Sequence, residues 1–113
     1  MIREQASKVR LQFEQRHIDK KLLKELYSHY ADVGDADVFV EKAFDLFPRL
    51  NCGLASVYLR QVLGTGQIIR GRYGNKKHTF LLIDGKVVDI TADQYGGPKV
   101  YVGPLRKPWA KHF

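Results

Sequence analysis

The stretch His78-Thr79-Phe80-Leu81-Leu82-Ile83-Asp84-Gly85-Lys86-Val87-Val88-Asp89-Ile90-Thr91 decides the fold. Apolar residues flank Asp84-Gly85, a dipeptide that two-residue hairpin turns favour because both turn positions can take positive φ. The spacing predicts a strand over 78–83, a tight turn, and a returning strand over 86–91. With Asp84 and Gly85 in the turn, Ile83 faces Lys86, Phe80 faces Asp89 and His78 faces Thr91. Facing partners share one side of a sheet, and so do alternate residues of one strand. His78 and Asp89 therefore project from the same face as diagonal neighbours, about 7–8 Å apart at the backbone and within reach through their side chains. A slip of one residue would put them on opposite faces. Asp89 is the single charge within Val87-Val88-Asp89-Ile90, where an unpaired carboxylate is costly and an imidazole is an apt partner. The blander alternative makes His78 a structural histidine at a strand start and Asp89 a strand-end residue bonded to backbone.

Working outward, Gln67–Tyr73 reads as a further strand and Gly74–Lys77 as a turn. Gly96-Gly97-Pro98 breaks the chain, Lys99–Val102 is expected as a short edge strand, and the tail from Pro104 is basic and aromatic without a period. Upstream the period is helical. Over residues 3–30, Leu11, Ile18, Leu22, Leu23, Leu26 and Tyr30 recur at three- and four-residue steps, which predicts one helix. Ala31-Asp32-Val33-Gly34-Asp35 is a break. Asp35 or Asp37 then caps a helix carrying Val38, Val40, Ala43, Phe44 and Phe47, which Pro48 ends. Asn51 is expected to cap a third helix, Cys52–Leu63, closed by Gly64-Thr65-Gly66. That helix is small or apolar nearly all round, so it is expected to be buried. Helices followed by an antiparallel sheet make an α+β domain over residues 1–113, with a helical part to residue 50.

The chain has 113 residues, of which 44% are apolar and 27% charged, a globular composition that excludes disordered and fibrous classes. No apolar run reaches the roughly 20 residues that cross a bilayer, and no leader is visible. The expectation is a soluble protein without membrane contact, cytoplasmic or delivered as an effector. The net charge of +7 arises entirely in residues 51–113, where ten basic residues meet three acidic ones; residues 1–50 carry nine of each. Such a basic half suits anionic partners, or simply keeps a surface solvated. One Cys excludes an internal disulfide framework and a multi-Cys zinc cage.

Cys52 follows a capping residue on the first turn of a buried helix. Unpaired N–H groups and the positive end of the helix dipole lie there, and both favour thiolate. The N–H groups near Asn51 and Gly53 are candidates to hold an oxyanion. A lone Cys in an apolar segment is otherwise a small buried hydrophobe. A thiol nucleophile needs a base that later acts as acid, which imidazole does near neutral pH, and a third group that fixes the imidazole tautomer. Cys52, His78 and Asp89 are the candidates, in that chain order.

The segment Asn51-Cys52-Gly53-Leu54-Ala55-Ser56 and the run from His78 to Thr91 together resemble the papain-like superfamily, in particular its transglutaminase-like and arylamine N-acetyltransferase-like branches. In these, a helix-start Cys, a strand His and an Asp on the next strand form a triad. The resemblance covers roughly residues 50–95 and implies a papain-like arrangement, a central Cys-bearing helix packed on a small antiparallel sheet. It implies a thiol enzyme acting on amide or acyl groups through a thioester: peptidase, amidase, glutamine deamidase or transferase, as in toxin, effector or phage modules. No Gln lies a few residues before Cys52, so Asn51 or backbone alone would serve the oxyanion. This chemistry requires no cofactor and no metal.

Arg70, Arg72, Lys76 and Lys77 lead into His78 and are expected to attract an acidic peptide or protein substrate. With Tyr73, Arg106 and Lys107 they also resemble a nucleic-acid patch, a less favoured alternative. A non-catalytic papain-like module that binds an acidic protein is another. His17, His29 and His112 lack metal-ligand spacing and are expected at the surface. Gly64-Thr65-Gly66 and Gly71-Arg72-Tyr73-Gly74 lack the strand-to-helix context of a phosphate loop and read as turns.

Overall fold

The computed structural model describes residues 1–31, 34–49 and 51–112. Four helices come first: α1 (Ile2–Gln15), α2 (Lys20–Ser28), α3 (Ala36–Leu46) and α4 (Cys52–Leu63). Five antiparallel strands follow: β1 (Gln67–Tyr73), β2 (Lys76–Ile83), β3 (Lys86–Asp89), β4 (Tyr101–Pro104) and β5 (Trp109–Ala110). A 3₁₀ turn, Ala92–Tyr95, lies between β3 and β4. The architecture is α+β, with sheet order β4-β3-β2-β1-β5. No helix among the described residues is long and apolar enough to cross a membrane.

The single helix expected over residues 3–30 is two helices. Arg16 takes a left-handed conformation (φ 58°) and its N–H closes on the carbonyls of Gln12 and Phe13, while the Asp19 side chain caps α2 by accepting from the Lys21 N–H. Ile18, buried between them, keeps the helical spacing that hides the corner. Leu11 is half exposed, and α1 packs instead through Ala6, Val9 and Phe13. Phe13 stacks on Phe47 at 5.3 Å and meets Tyr58 edge-on at 5.9 Å.

Asp35 caps α3 as expected, accepting from the Val38 N–H, though Val38 itself is exposed. Asp32 and Val33 of the expected break lie outside the described residues. Helix α4 has the expected bounds and ends at Gly64, at φ 73°. Asn51 precedes it but makes no side-chain cap. Its Nδ2 donates instead to the carbonyls of Ala43 (2.6 Å) and Arg49 (2.8 Å), bracing the end of α3 against the start of α4.

The hairpin register is the expected one: Ile83 pairs with Lys86, Leu82 with Val87 and Leu81 with Val88. Asp84 and Gly85 both have positive φ, 50° and 78°. Strand β2 begins two residues earlier than expected, because a two-residue turn, Gly74-Asn75, lets Tyr73 pair with Lys76. Strand β3 ends two residues earlier than expected. There the Asp89 Oδ1 accepts from the Thr91 N–H at 2.9 Å, a local bond that competes with the ladder. The edge strand falls at Tyr101–Pro104 rather than Lys99–Val102, and the aperiodic tail supplies β5 beside β1.

Alternation along the strands divides the core. Leu81, Ile83, Val88 and Ile90 pack under the helices, with Leu54, Ala55 and Leu59 of α4. Ile69, Phe80, Val87, Ala92 and Trp109 form a second cluster with the rings of Tyr73 and Tyr101. Across the first cluster, the buried Arg10 of α1 forks onto both carboxylate oxygens of Asp93 (2.7 and 2.9 Å) and donates to the Ile90 carbonyl at 2.8 Å. This ties the first helix to the segment that follows β3.

Candidate active site

Asp89 is 2% exposed, and both its oxygens are occupied. Oδ1 accepts from Thr91. Oδ2 takes two bonds, from His78 Nε2 at 2.7 Å and from the indole N–H of Trp109 at 2.8 Å. One oxygen thus terminates the strand as the structural reading proposed, while the other meets the imidazole across the hairpin. The ring is fully enclosed. Tyr95 packs edge-on at 5.4 Å, Tyr73 edge-on at 6.2 Å and Phe80 tilted at 6.2 Å. Such walls exclude water and fix the ring plane, so the Asp89 contact is not exchanged for solvent.

With Nε2 on Asp89, the opposite nitrogen, Nδ1, is buried and meets no hydrogen-bond partner among the described residues. The group that acts on the ring from outside the Asp89 contact is Cys52. Burial opposes protonation of His78, but Asp89 and Cys52 outweigh it and raise its pKa to about 9. The thiol responds in the opposite sense. Burial alone would raise the Cys52 pKa, yet His78, the Thr79 backbone and the Thr79 side chain bring it below its ordinary value. Together these shifts favour the thiolate–imidazolium pair over the neutral one.

Position and packing at Cys52 come from α4. Ser56, one turn on, donates to the Cys52 carbonyl at 2.7 Å and reaches the Thr79 carbonyl at 3.4 Å, holding the helix start against β2. Gly53 is buried, and a Cβ placed there would lie 2.8 Å from the Tyr27 hydroxyl, so the small residue is needed for that close approach. The Asn51 amide hydrogens face the Ala43 and Arg49 carbonyls, so that side chain is not turned to the site and the expected role for it does not stand.

A cleft of about 550 Å³ opens at Gly53, the residue after Cys52, and is lined by Tyr27, Tyr30, Gly53, Arg70, Lys77, His78 and Thr79, among others. Of the four cations expected to attract substrate, Arg70 and Lys77 line it. Arg72 instead lines a separate groove with Lys107 and Pro108. Lys76 pairs with Tyr73, one residue along from the Arg72–Lys77 pair, and so sits on the other side of the sheet. The four do not form one patch. Arg70 is held in place: its Nε donates to the Tyr30 hydroxyl at 3.0 Å and its guanidinium lies 4.7 Å from that ring's centre. His17, His29 and His112 are exposed. Among the described residues, no three His, Cys, Asp or Glu side chains gather as a metal site.

Sequence reasoning missed the aromatic residues. Trp109, the one tryptophan, sits in a tail without periodicity, and its rarity was the only signal available. Tyr30 reads as part of a helical stripe and Tyr27 carries no signal of its own; in the structure both line the cleft. Tyr95 lies between the strand end expected at Thr91 and the break expected at Gly96, and its hydroxyl donates to the Lys77 carbonyl at 3.0 Å. No family model, curated protein or solved structure matches the chain, so the arrangement of Cys52, His78 and Asp89 stands on its own geometry.

Proposed function

We propose that this protein is a thiol-dependent enzyme of papain-like design, with Cys52 as nucleophile, His78 as base and acid, and Asp89 as the group that orients His78. The observation that carries this is the enclosed Asp89–His78 bond of 2.7 Å, with the free ring nitrogen buried and the Cys52 pKa lowered beside it. A structural histidine needs no unpartnered second nitrogen, since a buried polar atom left unsatisfied costs about 1–3 kcal/mol. A nucleophilic thiol gives that nitrogen a partner.

In the reaction, the Cys52 thiolate attacks an amide or ester carbonyl carbon, and a C–S bond forms as the carbonyl electrons move to oxygen. Collapse of this adduct breaks the bond to the leaving group, which takes the proton from imidazolium Nδ1. Neutral His78 then accepts a proton from water or an amine, which attacks the thioester and returns the thiol. Asp89 stays ionised and stabilises the imidazolium. Arg70 and Lys77, on the cleft wall, favour substrates with acidic groups near the scissile bond, which accords with a peptide or protein substrate.

Reaction with iodoacetamide tests the reading. At pH 6–7 the folded protein is expected to alkylate at Cys52 about tenfold or more faster than the same chain in denaturant, because a depressed pKa raises the thiolate fraction. His78→Ala should remove that advantage. Equal rates for the folded and unfolded chains would overturn the proposal.

A further inference from the structure

A tetrahedral intermediate needs hydrogen-bond donors at its oxyanion, and the sequence offers no side chain before Cys52 for the task. Asn51 is turned away onto the Ala43 and Arg49 carbonyls. Besides His78 and Thr79, which act on the thiol itself, a further side chain reaches the start of α4. The Tyr27 hydroxyl comes from α2 and lies so close to Gly53 that a Cβ there would meet it at 2.8 Å, with the ring carbon beside it at 3.3 Å. Its ring is fixed by stacking on Phe39 at 5.2 Å with planes 7° apart, and it lines the same cleft as His78 and Thr79. The hydroxyl makes no hydrogen bond to any described residue, although that of Tyr30, just past the end of α2, does. A held phenol without a partner, at the open end of the nucleophile's helix, has the chemistry of an oxyanion donor.

We infer that the Tyr27 hydroxyl donates a hydrogen bond to the oxyanion formed on Cys52, beside the first backbone N–H groups of α4. This rests on the thiol-enzyme reading and adds a catalytic residue to it. Burial, Tyr30 and the Cys52 charge raise the Tyr27 pKa, with Arg70 opposing, so the phenol keeps its proton through the range where Cys52 is ionised. The inference also explains Gly53, since any side chain there would push the hydroxyl out of the site. Preorganised donors of this kind typically contribute about 10²–10³-fold to rate.

Two reagents separate this role from thiol activation. Iodoacetamide alkylates sulfur by displacing iodide and forms no oxyanion. p-Nitrophenyl acetate acylates sulfur through a tetrahedral oxyanion, breaking the bond to nitrophenolate and leaving an acetyl thioester that water hydrolyses. Tyr27→Phe keeps the stack on Phe39 and removes no hydrogen bond within the described chain, so it is expected to fold. It should lower the p-nitrophenyl acetate acylation rate by about 10²-fold and leave iodoacetamide alkylation within about twofold of wild type. Equal losses with both reagents would mean that Tyr27 acts on the thiolate, and no loss with either would mean that it does nothing at this step; both overturn the inference. If the wild type itself reacts no faster than the unfolded chain with either reagent, the thiol-enzyme reading fails first and the inference goes with it.

Discussion

At the scale of single residues, the site depends on how Asp89 divides its two oxygens. Asp89→Asn keeps the shape and can keep one hydrogen bond, but it removes the charge that supports the imidazolium. The His78 pKa, raised to about 9 mainly by its hydrogen bond to Asp89 against the effect of burial, should fall toward the ordinary 6.5 in an NMR titration. Hydrolysis of p-nitrophenyl acetate should fall by about 10²–10⁴-fold. If Asp89 only ends the strand, both should stay as they are. Trp109→Phe makes the companion change from the other side. It removes the donor to Oδ2 but keeps a ring against Tyr101, which stacks on the indole at 3.9 Å. A loss of about 1–3 kcal/mol in urea denaturation is expected, the scale of one buried acceptor losing its donor. Catalysis should suffer less than in Asp89→Asn, because the carboxylate charge remains.

At the scale of elements, the short β5 strand works as a brace. It pairs with β1 through Arg72–Ala110 and Tyr73–Trp109, and this places the indole over Asp89. The brace can lie so close only because position 71 is glycine. A Cβ there would fall 2.0 Å from the Ala110 carbonyl oxygen, a backbone atom that cannot turn aside. Gly71 is also the cross-strand partner of His78. Gly71→Ala should therefore lift β5 away and carry Trp109 off Asp89, although the alanine touches neither residue. The expected readouts are a blue-shifted or red-shifted tryptophan fluorescence, lowered stability and slower acylation of Cys52. Unchanged fluorescence and acylation would show that β5 does not brace the site. The elements also show why a pattern can be read correctly and still misplace a boundary. Ile18 fits the helical spacing across the α1–α2 corner, and neither Gly nor Pro marks the turn; the left-handed Arg16 and the Asp19 cap make it.

At the scale of the whole molecule, the coupled titration of Cys52 and His78 sets a pH signature for stability. His78 has a raised folded-state pKa, so its contribution is complete below about 6.5 and is lost as pH climbs through about 9. Cys52 has a lowered folded-state pKa, so its contribution is present above its ordinary value near 9 and is lost as pH falls through the lowered one. The two slopes oppose each other between neutrality and pH 9. Wild-type stability should therefore vary less across that range than the His78 titration alone would make it. Cys52→Ala removes one slope, and its melting temperature should fall from pH 6.5 to 9 through the His78–Asp89 contact that remains. A flat profile in Cys52→Ala would mean that His78 does not hold its proton through Asp89.

The parts of this molecule determined by the sequence itself are those governed by near neighbours. Two turn residues with positive φ set the hairpin register, strand alternation put His78 and Asp89 on one face, and Asp35 and Gly64 marked helix ends by local capping. These interactions span a few residues, and their energetics depend on little else. Tertiary structure alone decided what surrounds them. Trp109 reaches Asp89 across 20 residues, Arg10 reaches Asp93 across 83, and Arg70 reaches Tyr30 across 40. Tyr27 likewise reaches Gly53 from another helix, and Asn51 serves the end of α3 instead of capping its own helix. None of these contacts leaves a periodicity or a spacing in the chain, because each partner is chosen by which surfaces the packed core brings together, and many residues could supply the same donor or ring. Backbone geometry repeats along a sequence and can be read from it; side-chain contacts between distant segments do not repeat, and exist only once the chain has closed on itself.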